Sequence, residues 1–247
     1  MSAGTLLCGS SDGPPVMLIH GLGSSYRVWD RVVPLIQPAA RVCAVELDAS
    51  DSIDSDADAV AALINRPMLL VGHSRGGLVA TAVAERHPGL VSKLILICPS
   101  WSLASRLGAN RATERALSMP VIGDLIWALA SPSRQRREVQ TAFAPGARVP
   151  DQFVVDLRAR GRRSVTDSSR VINDYLRATP LPDRLKKLAL PTELIFGKQD
   201  ARVSTPRDEF SAVCSTRLTV LPAVGHSPPW EAPGAVAELI AHSLASQ

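Results

Sequence analysis

Met68-Leu69-Leu70-Val71-Gly72-His73-Ser74-Arg75-Gly76-Gly77 reads as a strand that turns sharply into a helix. Its first four residues are an unbroken apolar run, which suits a strand covered on both faces, and Gly76 to His87 keeps helical spacing until Pro88 stops it. Between the two, small residues at Gly72 and Gly76 let a tight turn close, so that the Ser74 hydroxyl projects above the sheet. The helix start beside it supplies unpaired backbone N–H groups, where negative charge forming on a substrate oxygen would be stabilised. Ser74 is therefore the candidate nucleophile.

Working outward, short apolar runs recur at Val16–Ile19, Val42–Leu47, Leu94–Cys98, Thr192–Phe196 and Arg217–Leu221. Helical stretches alternate with them: Tyr26–Ile36, Asp56–Ile64, Gly76–His87, Pro206–Val213 and Pro233–Leu244. That alternation predicts an α/β fold, a mostly parallel sheet with helices on both faces. Before Val16 there is room for one further strand, Thr5–Cys8, and Ser50 to Asp58 reads as a small acidic loop. One interval breaks the pattern: Trp101 to Pro180 has no convincing strand, only amphipathic helical stretches punctuated by prolines. The chain thus divides into a core of residues 1–100 and 181–247 and an inserted helical cap, or lid, of residues 101–180.

Composition narrows the function classes. The 247 residues are 46% hydrophobic and 20% charged, an ordinary globular balance that excludes disorder and fibrous architectures. No apolar stretch approaches the roughly 20 residues a bilayer requires, so no membrane span is expected. No Lys or Arg precedes Arg27, so the basic flank of a secretory signal is missing and the expected compartment is cytoplasmic. Cys8, Cys43, Cys98 and Cys214 are widely spaced and read as reduced, buried, small hydrophobes. The net charge of +4 is concentrated: residues 101–180 hold 13 Arg, no Lys and 7 acids, an excess of +6 that leaves the rest at −2. These arginines fall on helical periodicity without a compact basic run, so no nucleic-acid partner is expected. They either solvate outer helix faces or, through the planar guanidinium fork, draw in an acidic substrate.

The remaining motifs supply partners for the serine. A serine hydroxyl is a weak nucleophile until a base takes its proton, and His226 stands on a loop after the last strand, where it can face Ser74. Asp200 follows the strand Thr192–Phe196 and would hold the imidazole; Asp48 competes for that role, but its element precedes the nucleophile. No His/Cys/Asp cluster has metal spacing and no G-x-G-x-x-G follows a strand, so neither metal nor cofactor is expected.

Taken together, His20-Gly21-Leu22-Gly23, Gly72 to Gly76, Gly197-Lys198-Gln199-Asp200 and Gly225-His226-Ser227-Pro228-Pro229-Trp230-Glu231 resemble, in order and spacing, the motifs of the α/β-hydrolase superfamily. The resemblance covers nearly the whole chain and implies a serine-nucleophile member with a helical cap. It implies Ser74, Asp200 and His226 as the catalytic residues and the backbone N–H groups of Leu22 and Arg75 as the oxyanion hole. The sequence departs from the family where Leu47-Asp48-Ala49-Ser50-Asp51-Ser52 replaces a D-x-P-G-x-G-x-S loop. Ser74 in place of aspartate sets aside dehalogenase and epoxide-hydrolase chemistry.

The expected activity is hydrolysis of a carboxylester or lactone-type small molecule through an acyl-enzyme. Its substrate pocket is expected under Trp101, Trp127, Phe143 and Phe153, cap residues among the ten aromatics of the chain. The same groups serve thioester hydrolysis, carbon–carbon bond hydrolysis and lyase or cyclase chemistry, and some relatives of the fold are slow-turnover receptors for small ligands. An aminopeptidase is disfavoured by a basic rather than acidic lid.

Overall fold

The structure is a computed structural model describing residues 12–48, 51–107, 116–213 and 215–245, together with the backbone of residues 4–9. Seven strands form one sheet: β1 (Gly4–Gly9), β2 (Pro15–Ile19), β3 (Arg41–Glu46), β4 (Met68–His73), β5 (Val91–Ile97), β6 (Thr192–Gly197) and β7 (Thr216–Leu221). They lie in the order β1-β3-β2-β4-β5-β6-β7. β1 pairs antiparallel with β3 and every other pairing is parallel.

Side chains of the central strands alternate between two cores. Met17, Ile19 and Leu70 join one apolar cluster, whereas Val16, Leu18, Leu69 and Val71 join the other. The first cluster is covered by α2 (Ile53–Ala61) and α3 (Arg75–Arg86), the second by α1 (Val33–Ile36) and α9 (Pro233–Ala245). β7 departs from this rule: as the edge strand it leaves Leu218 and Val220 exposed, where a strand buried on both faces was expected.

From β2 the chain steps to β3 on one side and then to β4 on the other. The loops after β2 and β4 consequently diverge at the carboxyl end of the sheet, a topological switch point, and open a crevice between them. Over this end lie the helices between β5 and β6: α4 (Pro120–Ala128), α5 (Pro132–Gln140) and α6 (Asp151–Ala178), the last interrupted at Gly161 (φ 73°, ψ 168°). α7 (Leu181–Leu188) then returns the chain to β6, and α8 (Pro228–Glu231) precedes α9. Among the described residues no helix is long and apolar enough to cross a membrane.

Three expected helices differ, each for a local reason. Tyr26–Ile36 is a 3-10 turn (Tyr26–Trp29) followed by α1, because Pro34 has no N–H and its ring obstructs the carbonyl four residues back. The acidic loop is already helix: Ser52 Oγ accepts from Ser55 N at 3.0 Å and caps α2, whose first turn carries Asp54 and Asp56 against the helix dipole. Pro206–Val213 forms turns instead of a helix. Glu209 Oε2 accepts from Arg207 N, and the Asp208 carbonyl takes both the Ser211 N–H and hydroxyl, so local hydrogen bonds compete with the helical ladder.

Candidate active site

β4 ends at His73 and α3 begins at Arg75, leaving Ser74 alone in the turn with φ 53° and ψ −117°. Such a conformation is strained for a residue with a Cβ and is maintained only by its surroundings. Those surroundings are backbone: a Cβ on Gly72 would stand 2.3 Å from Gly76 O, and one on Gly76 2.2 Å from Ile19 O. Ser74 N donates to Ile97 O at 2.8 Å, tying the turn to β5.

Two distant segments reach this hydroxyl. Ser74 Oγ donates to His226 Nε2 at 2.9 Å, and His226 Nδ1 donates to Asp200 Oδ2 at 2.7 Å. The other Asp200 oxygen accepts from Arg202 N at 2.7 Å and Val203 N at 2.9 Å. Burial pushes the Asp200 carboxyl up, but the His226 charge and hydrogen bond and the two backbone donors outweigh it and hold the pKa below the ordinary value. An ionised Asp200 fixes the His226 tautomer with Nδ1 protonated, leaving Nε2 to accept from the serine. Asp48 ends up elsewhere: it is half exposed and lies 3.8 Å from Arg160.

Two further side chains, Glu231 and His73, support the histidine loop. Glu231 accepts from Gly225 N at 3.1 Å, Ser227 N at 3.3 Å and Ala144 N at 2.7 Å, clamping the loop on both sides of His226. His73 Nε2 donates to His226 O at 2.7 Å. Burial lowers the pKa of His73 to about 3, so it is neutral there. Glu231 was visible within the G-H-x-P-x-x-E segment, but its role needed the loop's folded path.

Leu22 follows β2 and lines the cavity, and Arg75 is the first residue of α3, next to Ser74 in the chain. The Arg75 side chain turns away and forms a buried ion pair with Asp56 of α2. His20 orders the Leu22 loop from below: Nδ1 donates to Gly21 O at 2.8 Å and Nε2 accepts from Leu47 N at 2.9 Å. From above, Ser25 Oγ donates to Asp156 at 2.7 Å, and Arg160 donates to Ser24 O at 2.9 Å, to Leu47 O at 2.6 Å and to the carboxylate of Glu46.

A cavity of about 890 Å³ opens over Ser74 and His226. Of the four aromatic residues expected to line it, Trp127 and Phe153 do so. Trp101 instead donates through Nε1 to Ser204 O and packs against Phe210, and Phe143 is buried edge-on against Phe153 behind the wall. Apolar character alone did not distinguish a wall residue from a core residue.

The arginines of residues 101–180 follow neither expected course as a group. Arg136 pairs with Asp151, Arg160 with Glu46, Arg162 with Asp124 at 2.7 Å and Arg177 with Asp174 at 2.6 Å, whereas Arg134, Arg137, Arg148 and Arg163 are exposed. Arg111 and Arg115 lie outside the described residues. Many of these charges therefore fasten helices to one another or to the core. Arg202, a cavity residue from outside residues 101–180, was not anticipated.

Cys43 and Cys98 are buried free thiols; Cys214 and the Cys8 side chain lie outside the described residues. Ligand-type atoms of Cys98, Asp200 and His226 lie within 4.8 Å of one another, a cluster that the sequence spacing did not suggest. Asp200 and His226 are hydrogen-bonded to each other, and burial raises the Cys98 thiol well above its ordinary pKa, so the group is organised for hydrogen bonding and lacks a thiolate.

Comparison with known proteins places this geometry. The alpha/beta hydrolase family matches residues 16–239. The chain belongs to the α/β-hydrolase family. As an α/β hydrolase it is 31% identical over 228 residues to a pimeloyl-(acyl-carrier protein) methyl ester esterase of Neisseria meningitidis serogroup A, covering 86% of this chain and 71% of that protein. It is 24% identical over 261 residues to a monoacylglycerol lipase of Homo sapiens, covering 94% of this chain and 76% of the relative. Among solved structures, a thermophilic esterase from Thermogutta terrifontis superposes with a TM-score of 0.79 at 20% identity, over 99% of this chain and 93% of that one. The protein is thus a hydrolase of the α/β fold.

Proposed function

We propose that this α/β hydrolase cleaves a small-molecule carboxylic ester, lactones included, through an acyl-enzyme on Ser74. The observation that carries the reading is the continuous chain from Ser74 Oγ to His226 Nε2 at 2.9 Å and from His226 Nδ1 to Asp200 Oδ2 at 2.7 Å. The similar proteins named above hydrolyse carboxylic esters by name, which supports ester over carbon–carbon chemistry.

In this reading Ser74 Oγ attacks the ester carbonyl carbon as its proton passes to His226 Nε2. The carbonyl oxygen takes the negative charge against the N–H groups of Leu22 and Arg75, and collapse of the adduct expels the alcohol, which receives the proton from His226. Water then attacks the acyl-enzyme, His226 takes a proton from it and returns one to Ser74, and the carboxylic acid leaves. Asp200 stays ionised throughout and stabilises the imidazolium. Residues 101–180 act as the cap that covers the cavity, with residues 1–100 and 181–247 forming the catalytic core.

Labelling of the purified protein with a fluorophosphonate, followed by a panel of esters, lactones and thioesters, tests the reading. A single adduct on Ser74 and turnover led by esters are expected. Absence of the adduct would remove the nucleophile, and turnover confined to thioesters would remove the substrate class.

A further inference from the structure

Arg202 holds a charge in a setting unlike that of the paired lid arginines. It lines the cavity with Ser74 and His226, and its backbone N–H is fixed on Asp200 at 2.7 Å, so its position is set relative to the reacting groups. Its guanidinium donates to neutral acceptors only: Nε to Thr141 Oγ1 at 2.8 Å and Nη2 to the Glu138 main-chain carbonyl at 3.0 Å. The Glu138 carboxylate is exposed, and the carboxylates of Glu138 and Asp200 act on Arg202 through space, but among the described residues none forms an ion pair with it. Arg202 is partly buried, and the Glu138 and Asp200 carboxylates act on it only at longer range, so a carboxylate entering the cavity would be the first to pair with it directly.

A second arginine is brought alongside. Arg106 bridges antiparallel to Val203 and Leu107 N donates to Arg202 O at 2.9 Å, so Arg106 and Arg202 come from paired extended segments. Arg106 lines the same cavity and donates to Asn173 Oδ1 and to Ser169 Oγ, which are also on its wall. The lining is mixed: Glu138 and Asp174 belong to it beside these arginines, and Leu22, Trp127, Phe153 and Leu157 supply apolar surface.

We propose that Arg202, supported by Arg106, is a specificity-determining residue that binds an ionised carboxylate carried by the ester substrate. The inference rests on the ester-hydrolase reading above and adds the substrate class: esters bearing a second, free carboxylate. Guanidinium nitrogens of Arg202 not engaged with Thr141 and Glu138 donate to the carboxylate, whose oxygens accept in the planar fork geometry.

The test compares matched esters in which a carboxylate is replaced by methyl. Monomethyl glutarate against methyl pentanoate places the charge on the acyl side, and the butanoate ester of glycolic acid against ethyl butanoate places it on the alcohol side. A preference in kcat/KM of about 10-fold to 100-fold for the charged member of at least one pair is expected, from charge-assisted hydrogen bonds of ordinary strength. Which pair shows it identifies the side. Arg202→Met should reduce that ratio to near one, mainly through KM, and Arg202→Lys should restore part of it. If the arginine only braced α5 against the Asp200 loop, Arg202→Met would lower both members equally and leave the ratio standing, which would overturn the proposal.

Binding without turnover gives an independent readout. Glutarate titrated calorimetrically into the wild-type protein should bind at least about 10-fold more tightly than glutaramide, and Arg202→Met should abolish the difference. Equal binding of the two by wild type, or no charge preference in either ester pair, sinks the inference. Loss of fluorophosphonate labelling together with retained glutarate selectivity would instead sink the hydrolase reading while keeping the anion site.

Discussion

Ser74, Asp200 and His226 differ in what each is asked to do, and substitutions should separate them. Ser74→Ala removes the nucleophilic oxygen while keeping the Cβ, so the fold should be retained and turnover should fall by roughly 10³-fold or more. Wild-type rates in a purified sample of that variant would end the mechanism. Asp200→Asn should lower kcat on the order of 10⁴-fold, because an amide facing His226 Nδ1 at 2.7 Å favours the wrong tautomer. Asp48→Asn, altering a half-exposed side chain 3.8 Å from Arg160, should change kcat little; the opposite ranking would move the acid to Asp48.

At the scale of elements, two carboxylates, Asp56 buried and Glu231 half-buried, connect parts that the sequence keeps apart. Asp56 of α2 and Arg75 of α3 are 4% and 3% exposed, so removing one partner takes the ion pair from a charge that stays buried behind the Ser74 turn. Asp56→Ala should cost about 3–5 kcal/mol in urea unfolding, and Asp56→Leu with Arg75→Met should recover most of it; additive losses would show that the pair is not coupled. Glu231 bonds N–H groups on both sides of His226 and one of the segment following α5, and burial raises its pKa. Glu231→Gln replaces an acceptor oxygen by a donor nitrogen, so about 2–3 kcal/mol of stability and at least about tenfold in kcat should be lost, with KM less affected. An unchanged kcat would limit Glu231 to a packing role.

For the molecule as a whole, the buried histidines set an acid limit. Burial lowers His20 and His73 to about 3, against an ordinary 6.5, so each is neutral when folded and gains a proton on unfolding throughout that interval. Their stability contribution is complete above about pH 6.5 and is lost as pH falls, by about 1.4 kcal/mol per pH unit for each histidine. Urea midpoints measured from pH 7.5 to 5 should therefore decline, and His20→Gln should lessen the slope by one proton. An equal slope in that variant would mean that His20 is protonated in the native state.

How much of this was legible in the sequence depends on the range of the interaction that decides it. The strand, strained serine turn and helix from Met68 to Arg86 are settled by neighbours: an apolar run, two glycines whose missing Cβ atoms let backbones approach, and a proline stop. The strand–helix alternation likewise followed from local patterning, and motif order pointed to Asp200 and His226. Local sequence also misled at Pro34, whose ring and missing N–H interrupt the helix, and in the Asp208–Ser211 turn, where local hydrogen bonds compete with the helical ladder. What only the tertiary structure decided is which groups meet across the fold. Glu46 receives Arg160, Trp101 turns to Ser204, and Arg202 lines the cavity with no ion pair among the described residues, although arginine spacing had directed attention to residues 101–180. Hydrophobic pattern reports that a side chain prefers to leave water, and charge reports that it needs a partner; neither names the partner. That choice is made by strand order, which places the loops after β2, β4, β6 and β7 at one end of the sheet and brings residues more than a hundred positions apart within hydrogen-bonding distance.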